Sequence, residues 1–392
     1  MIRRYRPRVC IRVSPYIGKD LRVGPMLLDT FSQLGFHTTL LSDGTATVSQ
    51  ADVLLLVGNC LHFTRIAQLL SSIGNSRPKT ILWLLEPLAP PGMTQHAQRI
   101  GLALAKCDRK NLPPFLLALL RATIPRHRKL QYAAREVLTL LFNREMKRQG
   151  WQFSSELCAE ALHLPVLQHL WLKQHFPATW CDIVFASTVP RCRLLTSTGI
   201  NAKYLPLGYD VRWGRPLSMV RDIDVLFLGT LRNRKRLAAV RKLKKRLTSD
   251  GLKLTIADNG FYGEKRTRLL NSTKIVLDLV RVPWEMPTMR LLMSMGCGAM
   301  VVTNWTGEPT PFSSRHLVRA KTEDIPQTVA YYLAHENERQ AIAQAAYNYL
   351  TERLTMRNSI LKMLKESGLR PAISKSNLKE RAYDSYTPPV LG

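Results

Sequence analysis

Apolar residues along this chain recur with two periods, and the switching between them predicts its architecture. The run "RVCIRVS" reads as a short strand, and "MLLDTFSQLGF" follows as a helix with Met26, Leu27, Phe31 and Leu34 at helical spacing. "HTTLLS" predicts a second strand. "ADVLLLVG", residues 51–58, is apolar throughout, the pattern of a strand buried on both faces. A helix over "FTRIAQLLSSIG" and a strand over "TILWLLE" come next. Strands and helices in this alternation predict a parallel sheet covered by helices.

The pattern changes over residues 92–180, which read as helical and strongly basic. Arg121, Arg126, Arg128, Lys129, Arg135, Lys147 and Arg148 crowd there with few acids. A solvated helix face is the commoner meaning of such a run. A surface for an anionic membrane or a phosphorylated acceptor is the other. "WCDIVFAST" and "AKYLPLGYD" resume the strands, and "WGRPLSMVRD", with its Gly and Pro, reads as a linker. The second half repeats the scheme. Strands are expected at "IDVLFLGT", "LKLTIAD", "KIVLDLV" and "AMVVT", separated by the helices "RKRLAAVRKLKKRLTSDG", "GEKRTRLLNST" and "TMRLLMSMG". Two helices, "EDIPQTVAYYLAHENERQAIAQAAYNYLTERL" and "TMRNSILKMLKESG", are expected to close it. Residues 370–392 show no periodicity and are expected to be disordered.

A chain of 392 residues exceeds what one core usually serves. The expected organisation is one Rossmann-like domain over 1–212, including the basic segment 92–180, and a second over 220–369. Charge narrows the partners. Lys and Arg number 57 against 28 Asp and Glu, a formal charge of +29, which calls for something anionic. No helix-turn-helix, zinc-finger or RNP-type signature accompanies that excess. The seven cysteines (Cys10, Cys60, Cys107, Cys158, Cys181, Cys192 and Cys297) lack metal-ligand spacing, and their odd number argues against a disulfide framework. No run reaches the ~18 apolar residues of a membrane span. The basic start "MIRRYRPRVCIRVS" leads into no signal-type apolar core, so an intracellular protein is expected.

In open parallel sheets, ligands sit at the carboxyl ends of strands. Three such ends stand out in the second half. In "LFLGTLRNRKR", Gly229 and Thr230 end a strand and Arg232, Arg234 and Lys235 gather at a helix start, a place for phosphate. In "TIADNGFYGEK", Asn259 and Tyr262 sit on glycine turns that let a base approach closely. In "VPWEMPTMRLLMSMGCG", Glu285 lies between Pro283 and Pro287, just ahead of a helix opening with Thr288, Met289 and Arg290. Met289, Met293 and Met295 at helical spacing also fit core filling.

These last motifs carry a resemblance. From about Asp182 to Leu361 the chain resembles the spore-maturation-type branch of GT-B glycosyltransferases, and more distantly the large retaining group with the E-x7-E motif. "EMPTMRLLMSMGCG" keeps that motif's first Glu as Glu285 and its small-residue end as Ser294 to Gly298, with Met293 in place of the second Glu. "GTLRNRK" is similar to the family's phosphate loop, with Gly229, Leu231 and Lys235 in place and Thr230 where the family has Arg. The resemblance implies two Rossmann-like doubly wound domains facing across a cleft, an α/β fold of the GT-B kind. It also implies a nucleotide-diphosphate sugar donor on the second domain and an acceptor on the first. Glu285 would contact the sugar, and Gly229, Thr230, Arg232, Arg234 and Lys235 the diphosphate. Asn259, Tyr262, Thr288, Met289 and Arg290 would meet the base and sugar.

A general base is sought among first-half strand ends: His62 in "LVGNCLHF" and Glu86 in "LWLLEPLAPPG". No DxD pair is read in a loop, so neither metal nor cofactor is expected to be required. The acceptor is expected to be anionic or lipid-linked, met in the cytoplasm or at the inner membrane face. Two rivals stand beside this reading: a nucleic-acid-binding α/β protein, motivated by the charge, and a glycosyltransferase-like protein without catalysis, motivated by Met293 and Thr230.

Overall fold

The computed structural model describes residues 7–15, 22–42, 48–89, 92–106, 137–138, 140–142, 144–145, 147–148, 163–231, 234–258, 260–280, 288–305 and 311–371. Two parallel sheets organise them. The first takes β1 (Arg8–Val13), β2 (His37–Leu40), β3 (Val53–Gly58), β4 (Lys79–Leu84), β5 (Ile183–Ala186) and β6 (Ala202–Tyr204) in the order β2-β1-β3-β4-β5-β6. The second takes β7 (Ile223–Leu228), β8 (Leu254–Ala257), β9 (Thr273–Asp278), β10 (Met300–Thr303) and β11 (Val318–Arg319) in the order β11-β10-β9-β7-β8. Every pairing is parallel.

The crossovers are helical, as parallel strands require. In the first unit they are α1 (Val23–Gln33), α2 (Thr64–Ile73), α3 (Gln95–Lys106), α4 (His163–Gln174) and α5 (Val189–Ser197). In the second they are α6 (Arg234–Ser249), α7 (Gly263–Asn271) and α8 (Thr288–Gly296), followed by α9 (Ile325–Ala334), α10 (Glu336–Glu352) and α11 (Met356–Glu366). The unbroken apolar run of β3 has the predicted meaning. Leu54 and Leu56 join one core cluster, while Val53, Leu55 and Val57 join the other, so both faces are covered. The same division separates Val225 and Phe227 from Leu226 and Leu228 on β7.

One expectation changes. The long closing helix is two, α9 and α10, because His335 leaves helical geometry at φ −107, ψ 68. Its ring stacks on Tyr331 at 4.0 Å, and Glu336 and Glu338 open α10 where its N-terminus favours acids. The segment after Trp213, read as the division between the domains, packs along the second unit. Trp213 is fully buried, Leu217 N donates to Asn271 Oδ1 (2.7 Å), and Asn271 Nδ2 donates to the Arg215 carbonyl (2.8 Å). Of the basic segment, Arg121, Arg126, Arg128, Lys129 and Arg135 lie outside the described residues, as do Cys107, Cys158 and the tail from 372 onward. Lys147 and Arg148 are exposed.

Among the described residues the chain passes between the units twice, and the two passages pair. Tyr209 N donates to the Leu354 carbonyl (2.6 Å) and Met356 N to the Tyr209 carbonyl (2.7 Å). Gly208 lies flat against this passage, where an added Cβ would overlap the Thr355 carbonyl and stand 2.5 Å from Met356 N. Beyond it Thr355 caps α11 by accepting from Asn358 N (3.0 Å). The helix then packs on α1 of the first unit, with Ser359 Oγ on the Pro206 carbonyl (2.9 Å) and Lys203 Nζ on Glu366 (2.7 Å).

Candidate active site

Strand order locates the site before any side chain is considered. In the second sheet, β7 runs to β8 on one side while β9 lies on its other side, so the crossovers diverge between β7 and β9. Such a switch point opens a crevice at the strands' carboxyl ends. In the first sheet the corresponding divergence falls between β1 and β3.

At the β7/β9 switch, Gly229 begins a turn tied down on its β8 side. Gly229 N donates to the Ala257 carbonyl (3.0 Å), and Leu231 N donates to Asp258 Oδ1 (2.8 Å). Thr230 projects into solvent between these two anchors. On the other side, β9 ends in Asp278, which is fully buried. Its Oδ1 accepts from Arg290 Nη1 at 2.6 Å, and its Oδ2 accepts from Thr303 Oγ1 at 3.1 Å across the register pair with β10. Arg290, in the first turn of α8, keeps 19% of its side chain exposed and lies 5.9 Å over the Phe227 ring. Its Nη2 would stand 3.0 Å from a Cβ placed on Gly229, so the guanidinium rests on the glycine.

Two sequence candidates, Gly229 and Arg290, are thus brought together from opposite sides of the switch. Tyr262 is exposed at the N-terminus of α7, beyond the end of β8. Met289 packs at the edge of a buried apolar core, and Met293 and Met295 are buried within it. Glu285, Arg232 and Asn259 lie outside the described residues, as do the side chains of Arg234, Lys235 and Thr288. Asp278 was missed. Its signal was an acid set in the otherwise apolar strand run "IVLDLV", one position before the chain leaves the sheet.

At the β1/β3 switch, fully buried Ser14 accepts from Asn59 N (3.1 Å), joining the two strand ends. Asn59 Oδ1 accepts from Leu61 N (3.0 Å) and caps the short turn Cys60–Phe63. That turn presents His62, whose side chain is exposed. Loss of water on its covered side, then the Arg12 charge, hold its imidazole below the ordinary value. Glu86 is half-buried two residues past β4. Arg191 on α5, also unanticipated, is buried there, with Nη1 on the Leu84 carbonyl (2.7 Å) and on Ser187 Oγ (3.0 Å). Among the described residues no three His, Cys, Asp or Glu side chains gather where they could hold a metal ion. None of the described helices is long and apolar enough to cross a membrane.

Two doubly wound parallel sheets, each with a polar strand-end site at its switch point, define the GT-B glycosyltransferase fold, and this chain has it. Residues 234–365 match the family model described as glycosyl transferase-like. Among solved structures, sucrose-phosphate synthase from Thermosynechococcus elongatus is similar at 9% identity, with a TM-score of 0.50 over 92% of this chain and 98% of that one. TarM is similar at 8% identity and TM-score 0.50, over 80% of this chain and 54% of its own, so this chain spans about half of TarM's length. Alr3699/HepE of Anabaena, solved with UDP-glucose, gives 9% identity and TM-score 0.48 over 92% of this chain and 99% of that one. No curated protein matches the chain.

Proposed function

We propose that this chain is a glycosyltransferase of the hexosyl-transferring kind, moving a sugar from a nucleotide-diphosphate donor to an anionic or lipid-linked acceptor. The observation that carries this reading is the anchored Gly229 turn at the β7/β9 switch, with α6 starting beyond it, inside the fold of sugar-transferring enzymes. Amide groups at a helix start and nearby cations stabilise a departing diphosphate. Lys235, with Arg232 or Arg234, supplies the cations, and Glu285 holds the sugar. The acceptor approaches the β1/β3 switch, where His62, kept neutral near pH 7, takes its proton. The domains divide near residues 212–220, as read from the sequence, and the cleft between them closes on the donor. No divalent metal is required, and a chelator leaves turnover unchanged.

The exposed cations Arg241, Lys242, Lys244 and Lys245 of α6, with the formal charge of +29, support an acceptor or membrane face that is anionic, met from the cytoplasm. A panel of nucleotide sugars, read by melting temperature and then by turnover, tests the proposal. One donor should stabilise the protein and be consumed. Lys235→Ala and Glu285→Ala should each lower transfer by at least about tenfold without unfolding it. Near-normal transfer by both variants sinks the reading. A second reading, donor binding without catalysis, is favoured by Met293, which is buried in the core where the resembled family has a polar contact. It predicts stabilisation by a donor with no turnover against any acceptor.

A further inference from the structure

The pairing of Arg290 with Asp278 carries an assignment that deepens the proposed function and rests on its donor class. We propose that Arg290 is a diphosphate-binding residue of this chain, aimed by Asp278 at the turn that Gly229 keeps open. Here the carboxylate is fully buried, while 19% of the guanidinium side chain is left open. Both Asp278 oxygens have partners, Nη1 at 2.6 Å and Thr303 Oγ1 at 3.1 Å, so the acid's orientation is determined.

The pair is formally neutral, so its contribution is directional. Arginine carries five N–H donors in a planar fork that matches phosphate oxygens. With Nη1 engaged by Asp278 and Nη2 against Gly229, the fork is fixed over the Gly229 turn. The Phe227 ring, 5.9 Å below, limits its tilt. The positive end of the α6 dipole comes from one side of the β7/β9 crevice, and guanidinium donors from the other. A group with two linked phosphates is the ligand that uses both.

Titration calorimetry on the full chain tests this with UDP, GDP and ADP, alongside the parent nucleosides followed by ligand-observed NMR. Arg290→Ala should weaken the bound nucleoside diphosphate by about 10- to 100-fold, the worth of one or two charged hydrogen bonds, and leave the nucleoside within about twofold. Arg290→Lys keeps a cation beside Asp278 but loses the fork, and should weaken it by about tenfold. Gly229→Ala retains the ion pair and displaces only the far end of the guanidinium. It should lose about fivefold in diphosphate affinity at an unchanged melting temperature. If Arg290→Ala fails to fold, the other two variants decide. Diphosphate affinity within twofold of wild type in both overturns the assignment alone. Failure of the wild-type protein to bind any of the three diphosphates overturns the donor reading and this assignment with it.

Discussion

Replacing Gly208 by alanine should cost the protein far more than its single added methyl implies. The new Cβ would overlap the Thr355 carbonyl and stand 2.5 Å from Met356 N, and these are backbone atoms that no rotamer change can move aside. Relief requires the two passages between the units to separate. That breaks the Tyr209–Leu354 and Met356–Tyr209 hydrogen bonds of 2.6 and 2.7 Å. Two such bonds contribute about 1 kcal/mol each, and forced overpacking adds about 1–3 kcal/mol, for a total near 3–5 kcal/mol. With an unfolding entropy of ~2.1 cal/mol/K per residue, the melting temperature of a chain this long should fall by about 4–6 °C. Gly229→Ala is the control, because its methyl meets only the end of the Arg290 side chain. Calorimetry gives the shift, and limited proteolysis around residues 353–355 reports whether the passage opens. A Gly208→Ala melting temperature within about 1 °C of wild type, with unchanged proteolysis, refutes the reasoning.

Other outcomes follow from the same geometry. His62→Gln should lower kcat by roughly 10²- to 10⁴-fold with little change in KM, and remove an acid limb of the rate profile lying below pH 6.5; an unchanged profile excludes His62 as the base. His169 is buried and its imidazole is lowered to about 4, by loss of water first and the Lys173 charge second. The unfolded chain therefore binds the extra proton, so stability is full above pH 6.5 and falls by up to about 3 kcal/mol as pH drops towards 4. His169→Gln should flatten that slope in urea titrations, and a slope identical to wild type would rule His169 out as its source. Asn271→Ala should free the segment after Trp213 and cost about 2–3 kcal/mol, because three hydrogen bonds converge on that buried amide; urea unfolding checks it.

Much of this was readable in advance, and the reasons are local. β3 declared itself by an apolar run that only two-sided burial explains, and α8 by the spacing of Met289, Met293 and Met295. The glycine turn at Gly229 was visible because a strand pattern stopped there and cations began. Less visible was anything set by pairing across distance. Arg290 was grouped with base and sugar contacts because it follows Glu285 in sequence, yet the β9–β7 pairing carries its guanidinium to Gly229. Thr230 is uncharged where the resembled loop has an arginine, and Arg290 reaches the neighbouring Gly229 from α8. Asp278 looked like an interruption of a strand, because burial of an acid has meaning only once its cation is placed. The passage at Gly208 had no periodic signature, since one glycine among loop residues says nothing of which backbone will lie against it.

That passage also sets an order of assembly. The helix that covers α1 is α11, which a ribosome delivers only after the whole second unit has been made. The early-synthesised sheet must therefore wait with one flank bare, and its completion depends on the late segment arriving before that flank meets another molecule.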